Sequence, residues 1–326
     1  MIRKVTPLLD GVDIRVTFSA AGNSGKNTRH AAVDGVSLSL EKGCTVGLVG
    51  ESGCGKTTLG RTLARFQVPD NGRVYLDGVD LVACSGRELR RVRRGIQMIF
   101  QNPFASLNPR MTVGAILTEA ARCAGKNGTI DRSVVERLLG QVGLDMSAGA
   151  KYPHEMSGGQ RQRVAIARAL AVRPKVIIAD EPVSSLDVSV AAQIINLFEE
   201  LKETLHLTML FISHDLSVVK YVADRILVMY RGRIVEQGGS DDLFSHPMHP
   251  YTRNLIKAIP MVGDSNGKRP FFEQVSLVTA EESFSGGCSY ESRCEKKQQR
   301  CSNECPVSSQ SSRTMNTHLC ACFFPY

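Results

Sequence analysis

Tryptophan is absent from the 326 residues, and aromatic side chains make up only 6% of them. No stretch interleaves aromatics with basic residues, which argues against a stacking platform for single-stranded nucleic acid. Long apolar runs are missing as well. The longest, such as Val176-Ile177-Ile178-Ala179, are strand-sized and far short of the ~18 residues that cross a bilayer. The N-terminus, MIRKVTPLLDGVDIRV, has neither the continuous apolar stretch nor the small-residue cleavage site of a secretory signal. The expectation is a chain that neither spans a membrane nor is secreted. No internal repeat is visible.

What is present suits a folded chain. Hydrophobic residues make up 42% and charged residues 22%, enough for a sizeable core. At about 150 residues per domain, the length predicts two domains. Forty Lys and Arg against thirty-two Asp and Glu leave a net charge of +8. That balance favours an anionic partner, whether nucleotide, nucleic acid or acidic lipid. Of ten cysteines, Cys44, Cys54, Cys84 and Cys123 are scattered, whereas Cys288, Cys294, Cys301, Cys305, Cys320 and Cys322 crowd the last thirty-nine residues. In an intracellular chain, clustered thiols are more often metal ligands than disulfides.

The hydrophobic pattern alternates between strand-like and helix-like segments. Strands are predicted at 12–18, 33–40, 45–49, 74–76, 96–100, 176–179, 209–212 and 226–229. Helices are predicted from Lys56 to about Phe66 and over 160–172 and 188–205. Between Asn102 and about Met156, proline turns and helical patterns near 113–121 and 134–142 suggest a helical insertion. Strands alternating with helices predict a mostly parallel sheet covered on both faces. Beyond about residue 240, Pro, Ser, Gly and Cys accumulate, which reads as an appended module.

The strongest chemical signal is Gly50-Glu51-Ser52-Gly53-Cys54-Gly55-Lys56-Thr57, a match to G-x-x-x-x-G-K-S/T between a predicted strand and a predicted helix. Glycines let the main chain wrap closely, so that consecutive N–H groups and a helix N-terminus face phosphate oxygens. Gly50, Ser52, Gly53, Cys54, Gly55, Lys56, Thr57 and the adjoining Thr58 form the candidate phosphate-binding set. Lys56 is expected to reach the β- and γ-phosphates, and the Thr57 hydroxyl to coordinate Mg²⁺. The apolar strand 176–179 ends in Asp180-Glu181, where ligands bind in open parallel sheets. Asp180 suits the Mg²⁺ shell, and Glu181 suits a general base or water-orienting group.

Met156-Ser157-Gly158-Gly159-Gln160 resembles the LSGGQ signature of the ATP-binding cassette (ABC) family, with Met for Leu at the first position. The resemblance continues in order along the chain. Gln101 in IFQNP resembles the Q-loop glutamine, which contacts Mg²⁺ or the attacking water. Ser184-Ser185-Leu186-Asp187 resembles the D-loop, and His214 in FISHD the switch histidine that bonds the γ-phosphate. Phe18 is the candidate for stacking on adenine, and it reads equally well as a core residue of the first strand. The resemblance implies an α/β P-loop ABC ATPase core: a mostly parallel sheet with flanking helices and an antiparallel β subdomain. Residues 1–240 would form the nucleotide-binding domain, with the helical signature subdomain inserted at about 102–158. It also implies ATP hydrolysis between two cassettes, Ser157, Gly158, Gly159 and Gln160 of one facing the phosphate loop of the other.

After the cassette, His246-Pro247-Met248-His249-Pro250-Tyr251-Thr252-Arg253 resembles a segment of oligopeptide, dipeptide and nickel importer ATPases. Phe104-Ala105-Ser106-Leu107-Asn108-Pro109 and Gly287-Cys288-Ser289-Tyr290-Glu291-Ser292-Arg293-Cys294 fit the same group. Residues 241–326 would then be the importer-type extension. The implied partners are a second cassette, identical or paralogous, two transmembrane permease subunits and an extracytoplasmic solute-binding protein. The implied location is the cytoplasmic face of the cell membrane, and no nucleic-acid partner is expected. A soluble ABC ATPase acting on nucleic acid is the rival reading. Cys288, Cys294, Cys301 and, by resemblance, Cys322 are the candidate ligands of a 4Fe–4S cluster. Zn²⁺ or unligated thiols are the alternatives that spacing leaves open.

Overall fold

A computed structural model describes residues 6–21, 27–102, 106–124, 132–259, 286–310 and 318–326. Residues 22–26, between the first two predicted strands, and Phe104-Ala105 after Gln101 lie outside the described residues. β1 (Leu9–Ala21) and β2 (Asn27–Leu40) pair antiparallel, with Leu9 opposite Leu40. β3 (Thr45–Val49) runs into α1 (Lys56–Leu63). β4 (Asn71–Leu76), β5 (Val79–Asp80), α2 (Gly86–Arg93) and β6 (Ile96–Ile99) follow. A helical layer comes next: α3 (Val113–Cys123), α4 (Arg132–Gln141), 3-10 turns at Met146–Ala150 and Pro153–Glu155, and α5 (Gly158–Leu170).

Alternation then resumes with β7 (Val176–Asp180), α6 (Val188–Leu205), β8 (Thr208–Ser213), α7 (Leu216–Val222), β9 (Arg225–Tyr230) and β10 (Arg233–Gly239). The described C-terminal part holds α8 (Ser240–Ser245), α9 (Pro250–Lys257), α10 (Gln299–Asn303), β11 (Ser309–Gln310) and β12 (Leu319–Cys320). No helix among the described residues is long and apolar enough to cross a membrane.

The smaller sheet has strand order β2-β1-β4-β5 and is antiparallel throughout. The larger has order β11-β12-β10-β9-β3-β8-β7-β6. Within it, β9, β3, β8, β7 and β6 are parallel, and the three strands beyond β9 are antiparallel. Strands β3, β7 and β8 are buried at every residue, as expected for parallel strands covered on both faces.

One apolar cluster fills the space around α1, joining Ile14, Val33 and Val74 of the smaller sheet to Leu59 and Leu63 and to Ile178 and Ile212 of the larger. A second cluster joins the helical layer to the opposite face through Val164, Phe198, Phe211 and Val219, and it includes Tyr251 and Tyr290. The C-terminal part therefore packs on the cassette. Its own apolar residues are too few for a separate core, and β12 completes a ladder with β10, Cys320 opposite Glu236.

Glu236 sits at the centre of that attachment. Its side chain and that of His318 are both fully buried, and His318 Nε2 lies 2.8 Å from Glu236 Oε1. The same carboxylate accepts from the N–H groups of Met248 and His249, at 2.8 and 2.9 Å. One buried acid thus ties β10, the entry to α9 and the chain end together.

Candidate functional site

The turn from β3 into α1 wraps tightly. Gly50 and Gly55 have φ of +155° and +106°. A Cβ would lie 2.1 Å from the Met229 carbonyl oxygen at Gly50 and 2.0 Å from the Ala32 carbonyl oxygen at Gly55. Glycine is therefore required at both positions by neighbouring main chain. α1 begins without any side-chain cap, so its first N–H groups remain available to an anion. The Lys56 ammonium is buried inside the turn and donates to the carbonyl oxygens of Gly50 and Glu51 at 2.8 and 2.9 Å. Cys54 is buried beside it, and that burial pushes its thiol pKa up. Ser52 and Gly53 are exposed at the tip, and Thr57 and Thr58 are half-buried on the first helical turn.

Adjacent parallel strands deliver the remaining groups from their C-terminal ends. The Thr57 hydroxyl donates to Oδ1 of Asp180, the last residue of β7, at 3.0 Å. Burial pushes the Asp180 carboxyl up, the neighbouring Glu181 charge adds to this, and the Thr57 hydrogen bond opposes it. A buried carboxylate with a hydroxyl beside it is a hard oxygen donor set that fits Mg²⁺.

Glu181 has φ of +47°, a left-handed conformation unusual for a side chain of this size, and its N–H donates to the Ile212 carbonyl oxygen of β8 at 2.9 Å. That turn directs its carboxylate toward two neighbours. Gln101, just past β6, donates Nε2 to Glu181 Oε2 at 3.2 Å, and His214 Nδ1 lies 3.2 Å from the same oxygen. The His214 side chain is 55% exposed and so accessible to a ligand.

The other predicted residues are held elsewhere. Ser157 caps α5: its hydroxyl accepts from the Gln160 N–H at 3.3 Å, and the Gln160 side chain accepts from the Ser157 N–H at 3.1 Å. The segment packs on the D-loop of its own chain, where a Cβ on Gly158 would lie 3.3 Å from Leu186 and one on Gly159 would lie 2.4 Å from Val190. Asp187 caps α6 by accepting from the Val190 N–H at 3.0 Å, and the next residue, Val188, is 88% exposed. Phe18 sits on β1 opposite His30 and is 46% exposed, so it is not a core side chain.

Two contacts were not readable from residue spacing. The Glu51 N–H donates to the hydroxyl of Tyr251 on α9 at 2.9 Å, and both Glu51 carboxylate oxygens lie 2.9 Å from Nη1 of Arg293. Both partners stand in segments quoted above for their resemblance, but nothing local signals a reach of 200 or 242 residues.

Next to Arg293, Cys288, Cys294, Cys301 and Cys322 line one cavity with Tyr290 and Phe323. Burial pushes the Cys288 thiol up to about 11 and also raises Cys294 and Cys322. Against this, N–H groups two residues on, from Tyr290, Lys296 and Phe324, donate to these three sulfurs and favour thiolate. Cys305 lies against Arg233 instead, and Cys320 is on β12, paired between β10 and β11. Among the described residues, no three His, Cys, Asp or Glu side chains close around a single metal ion.

A phosphate loop after parallel strand β3, carboxylates at the end of β7 on the far side of β8, and an added antiparallel sheet define a P-loop nucleotide hydrolase. The ABC transporter family profile matches residues 33–184, and that of the oligopeptide/dipeptide transporter C-terminal region matches 235–301. The oligopeptide transport ATP-binding protein AppF of Bacillus subtilis is 47% identical over 298 residues, 89% of this chain and 88% of AppF. The dipeptide transport ATP-binding protein DppF of Haemophilus influenzae is 41% identical over 324 residues, 99% of this chain and 98% of DppF. The dimeric ATP-binding cassette MJ0796 bound to ADP and Pi superposes with a TM-score of 0.62 at 28% identity, covering 71% of this chain and 98% of that one. The chain belongs to the ABC transporter family, in the group of oligopeptide/dipeptide transport ATP-binding proteins. It is an ATPase, and ATP and Mg²⁺ are the substrate and metal of that family.

Proposed function

We propose that this chain is the ATP-hydrolysing subunit of an importer for di- or oligopeptides, working at the cytoplasmic face of the membrane. Names of relatives such as AppF and DppF support the solute class. The observation that carries the catalytic reading is the convergence of Gln101 and His214 on one oxygen of Glu181, beside the Thr57–Asp180 pair.

The roles follow from charge and reach. N–H groups of Gly53, Cys54, Gly55, Lys56, Thr57 and Thr58 bind phosphate oxygens, with Gly50 and Ser52 shaping the loop. The Lys56 ammonium exchanges its carbonyl partners for β- and γ-phosphate. Thr57, Asp180 and Gln101 would hold Mg²⁺, which supplies neutralisation of charge on the phosphates. Glu181 accepts a proton from, or orients, the attacking water. Gln101 and His214 keep that carboxylate aimed, and His214 turns to the γ-phosphate. Phe18 stacks on adenine.

Ser157, Gly158, Gly159 and Gln160 present a second helix N-terminus, and their bonds close on their own helix. A partner cassette, identical or paralogous, would supply the γ-phosphate they face, with Asp187 at the seam. The 88% exposure of Val188 supports that location. Hydrolysis then removes the charge that joins the two halves.

A groove of about 470 Å³ separates the core from the helical layer, with Phe66, Arg93 and Phe100 on one side and Ala120, Cys123 and Arg168 on the other. We assign it to a cytoplasmic loop of a permease subunit, which would pass the motion to the membrane. Two such permeases and an extracytoplasmic binding protein complete the assembly, and the binding protein selects the solute.

The four thiols fit a 4Fe–4S cluster better than Zn²⁺. Zinc gathers its sulfurs at about 2.3 Å around one ion, whereas these line a shared cavity and accept main-chain N–H groups, a known influence on cluster sulfurs. Cys288, Cys294, Cys301 and Cys322 would hold the cluster, which would supply ordering free energy to a segment poor in apolar residues.

The test is purification of the complex in detergent, followed by reconstitution into vesicles. Peptide uptake that depends on ATP and on Lys56 is expected. Recovery without membrane subunits, together with DNA- or RNA-stimulated hydrolysis, would favour the nucleic-acid reading.

A further inference from the structure

Glu51, the second residue of the phosphate loop, is gripped by the C-terminal part at both main chain and side chain. Its N–H donates to the Tyr251 hydroxyl, and its carboxylate faces the Arg293 guanidinium. Its carbonyl oxygen in turn accepts from Nζ of Lys56 at 2.9 Å. The Glu51 peptide therefore connects the C-terminal part to the ammonium that reaches phosphate.

The far end of this connection is the cysteine-lined segment. Arg293 adjoins Cys294, and Tyr290 lies two residues past Cys288. The Tyr290 ring packs 5.4 Å from the Tyr251 ring and 5.1 Å from that of Tyr230. Tyr230 and Tyr251 are themselves 4.7 Å apart, and the Tyr290 hydroxyl accepts from Asn254 of α9 at 3.1 Å. Packed aromatics of this kind hold one arrangement and transmit displacement.

Charge gives the contact a second consequence. A carboxylate in a loop built for triphosphate repels its ligand, and a guanidinium against it cancels that repulsion.

We propose that Arg293 and Tyr251 are positioning residues of the nucleotide site, fixing the Glu51 peptide and neutralising its charge, so that ATP affinity depends on the cysteine-lined segment. This rests on the ATPase reading above. Neither residue touches the nucleotide. Both act through Glu51.

The test measures KM and kcat for ATP, and Kd for the fluorescent analogue trinitrophenyl-ATP, on the full chain. Arg293→Ala should raise KM and Kd about fivefold or more with kcat within about twofold, and Arg293→Lys should recover most of the loss. Tyr251→Phe should weaken binding in the same sense. In a Glu51→Gln background, Arg293→Ala should change Kd by less than about twofold, since its target charge has gone.

Unchanged Kd in both Arg293→Ala and Tyr251→Phe overturns the proposal, as do Arg293→Ala and Glu51→Gln effects that multiply. Should Arg293→Ala fail to fold, judged by circular dichroism, Arg293→Gln and Tyr251→Phe decide the matter by the same criterion. Wild-type protein that binds the analogue without cleaving ATP would count against the ATPase reading, and the coupling would still be scored from Kd. Wild-type protein that binds no nucleotide would sink both.

Discussion

Glu181 and His214 face one another across the ends of β7 and β8, with His214 Nδ1 3.2 Å from Glu181 Oε2. The histidine and Gln101 share one carboxylate oxygen, and the other is proposed to face the attacking water. Glu181→Gln keeps the side-chain shape and removes the proposed base. Turnover measured by phosphate release should fall about 10²–10⁴-fold. Nucleotide affinity should remain, and ATP-bound dimer should accumulate in sedimentation. Equal turnover in the variant would remove Glu181 from the chemistry.

Ser157 and Lys56 are proposed to act on one phosphate from two different subunits. Lys56→Ala and Ser157→Arg chains should each be inactive as homodimers. Mixed together, they place both defects in one of the two sites and leave the other intact. Partial recovery of ATPase, up to about a quarter of wild type for random pairing, is the expected outcome for a chain that pairs with itself; the estimate is half of the dimers with one of two sites working. Activity that appears only when a paralogous cassette is added would assign the second half-site to that protein.

His318 and Glu236 form a fully buried pair between β10 and the start of β12. Removing one member leaves a buried polar group without its partner, which costs about 1–3 kcal/mol. His318→Ala should therefore lower the urea midpoint markedly and loosen β12, read as faster amide exchange at Cys320. Glu236→Gln with His318→Phe replaces both members and should recover much of the loss. A His318→Ala cost below about 1 kcal/mol would show that the pair is dispensable.

The parts of this fold that were legible share one property: their cause lies within a few residues. β3 was predicted over 45–49 and α6 over 188–205, and both stand at those bounds, because a buried parallel strand and a long amphipathic helix are fixed by local pattern. The phosphate loop was legible because its motif, Gly50 to Thr57, is contiguous and lies between a strand pattern and a helix pattern, although the contacts that require Gly50 and Gly55, with Met229 and Ala32, are distant in sequence. α2 and α7 were passed over. α2 is eight residues long, fully buries none of them and offers only Leu89 and Val92 as large apolar side chains, and α7 is only seven residues long. β10 was missed for another reason. It is an antiparallel addition whose pattern is interrupted by Glu236, a residue that becomes intelligible only once His318, 82 positions away, lies against it. The contact of Arg293 with Glu51 belongs to the same class. Charge pairs across such separations have no sequence period, and only the folded chain brings them together.

Gly287 offers a test of the cysteine cavity that leaves every thiol in place. A Cβ there would lie 2.4 Å from the Cys301 carbonyl oxygen and 2.6 Å from that of Ser302, both main-chain atoms that cannot swing aside. The next N–H, from Cys288, donates to that same Cys301 oxygen at 2.7 Å, so the substitution would push two of the four sulfurs apart. Anaerobically purified wild-type protein should carry about four irons and as many acid-labile sulfides per chain, with charge-transfer absorption in the visible. Gly287→Ala should lose most of that iron, as should Cys294→Ser, whereas Cys305→Ser should retain it because Cys305 lies outside the cavity. Stoichiometric zinc without iron would replace the cluster by a single ion. Retention of full iron by Gly287→Ala would mean that the cavity tolerates a spread of sulfurs wider than its hydrogen bonds suggest.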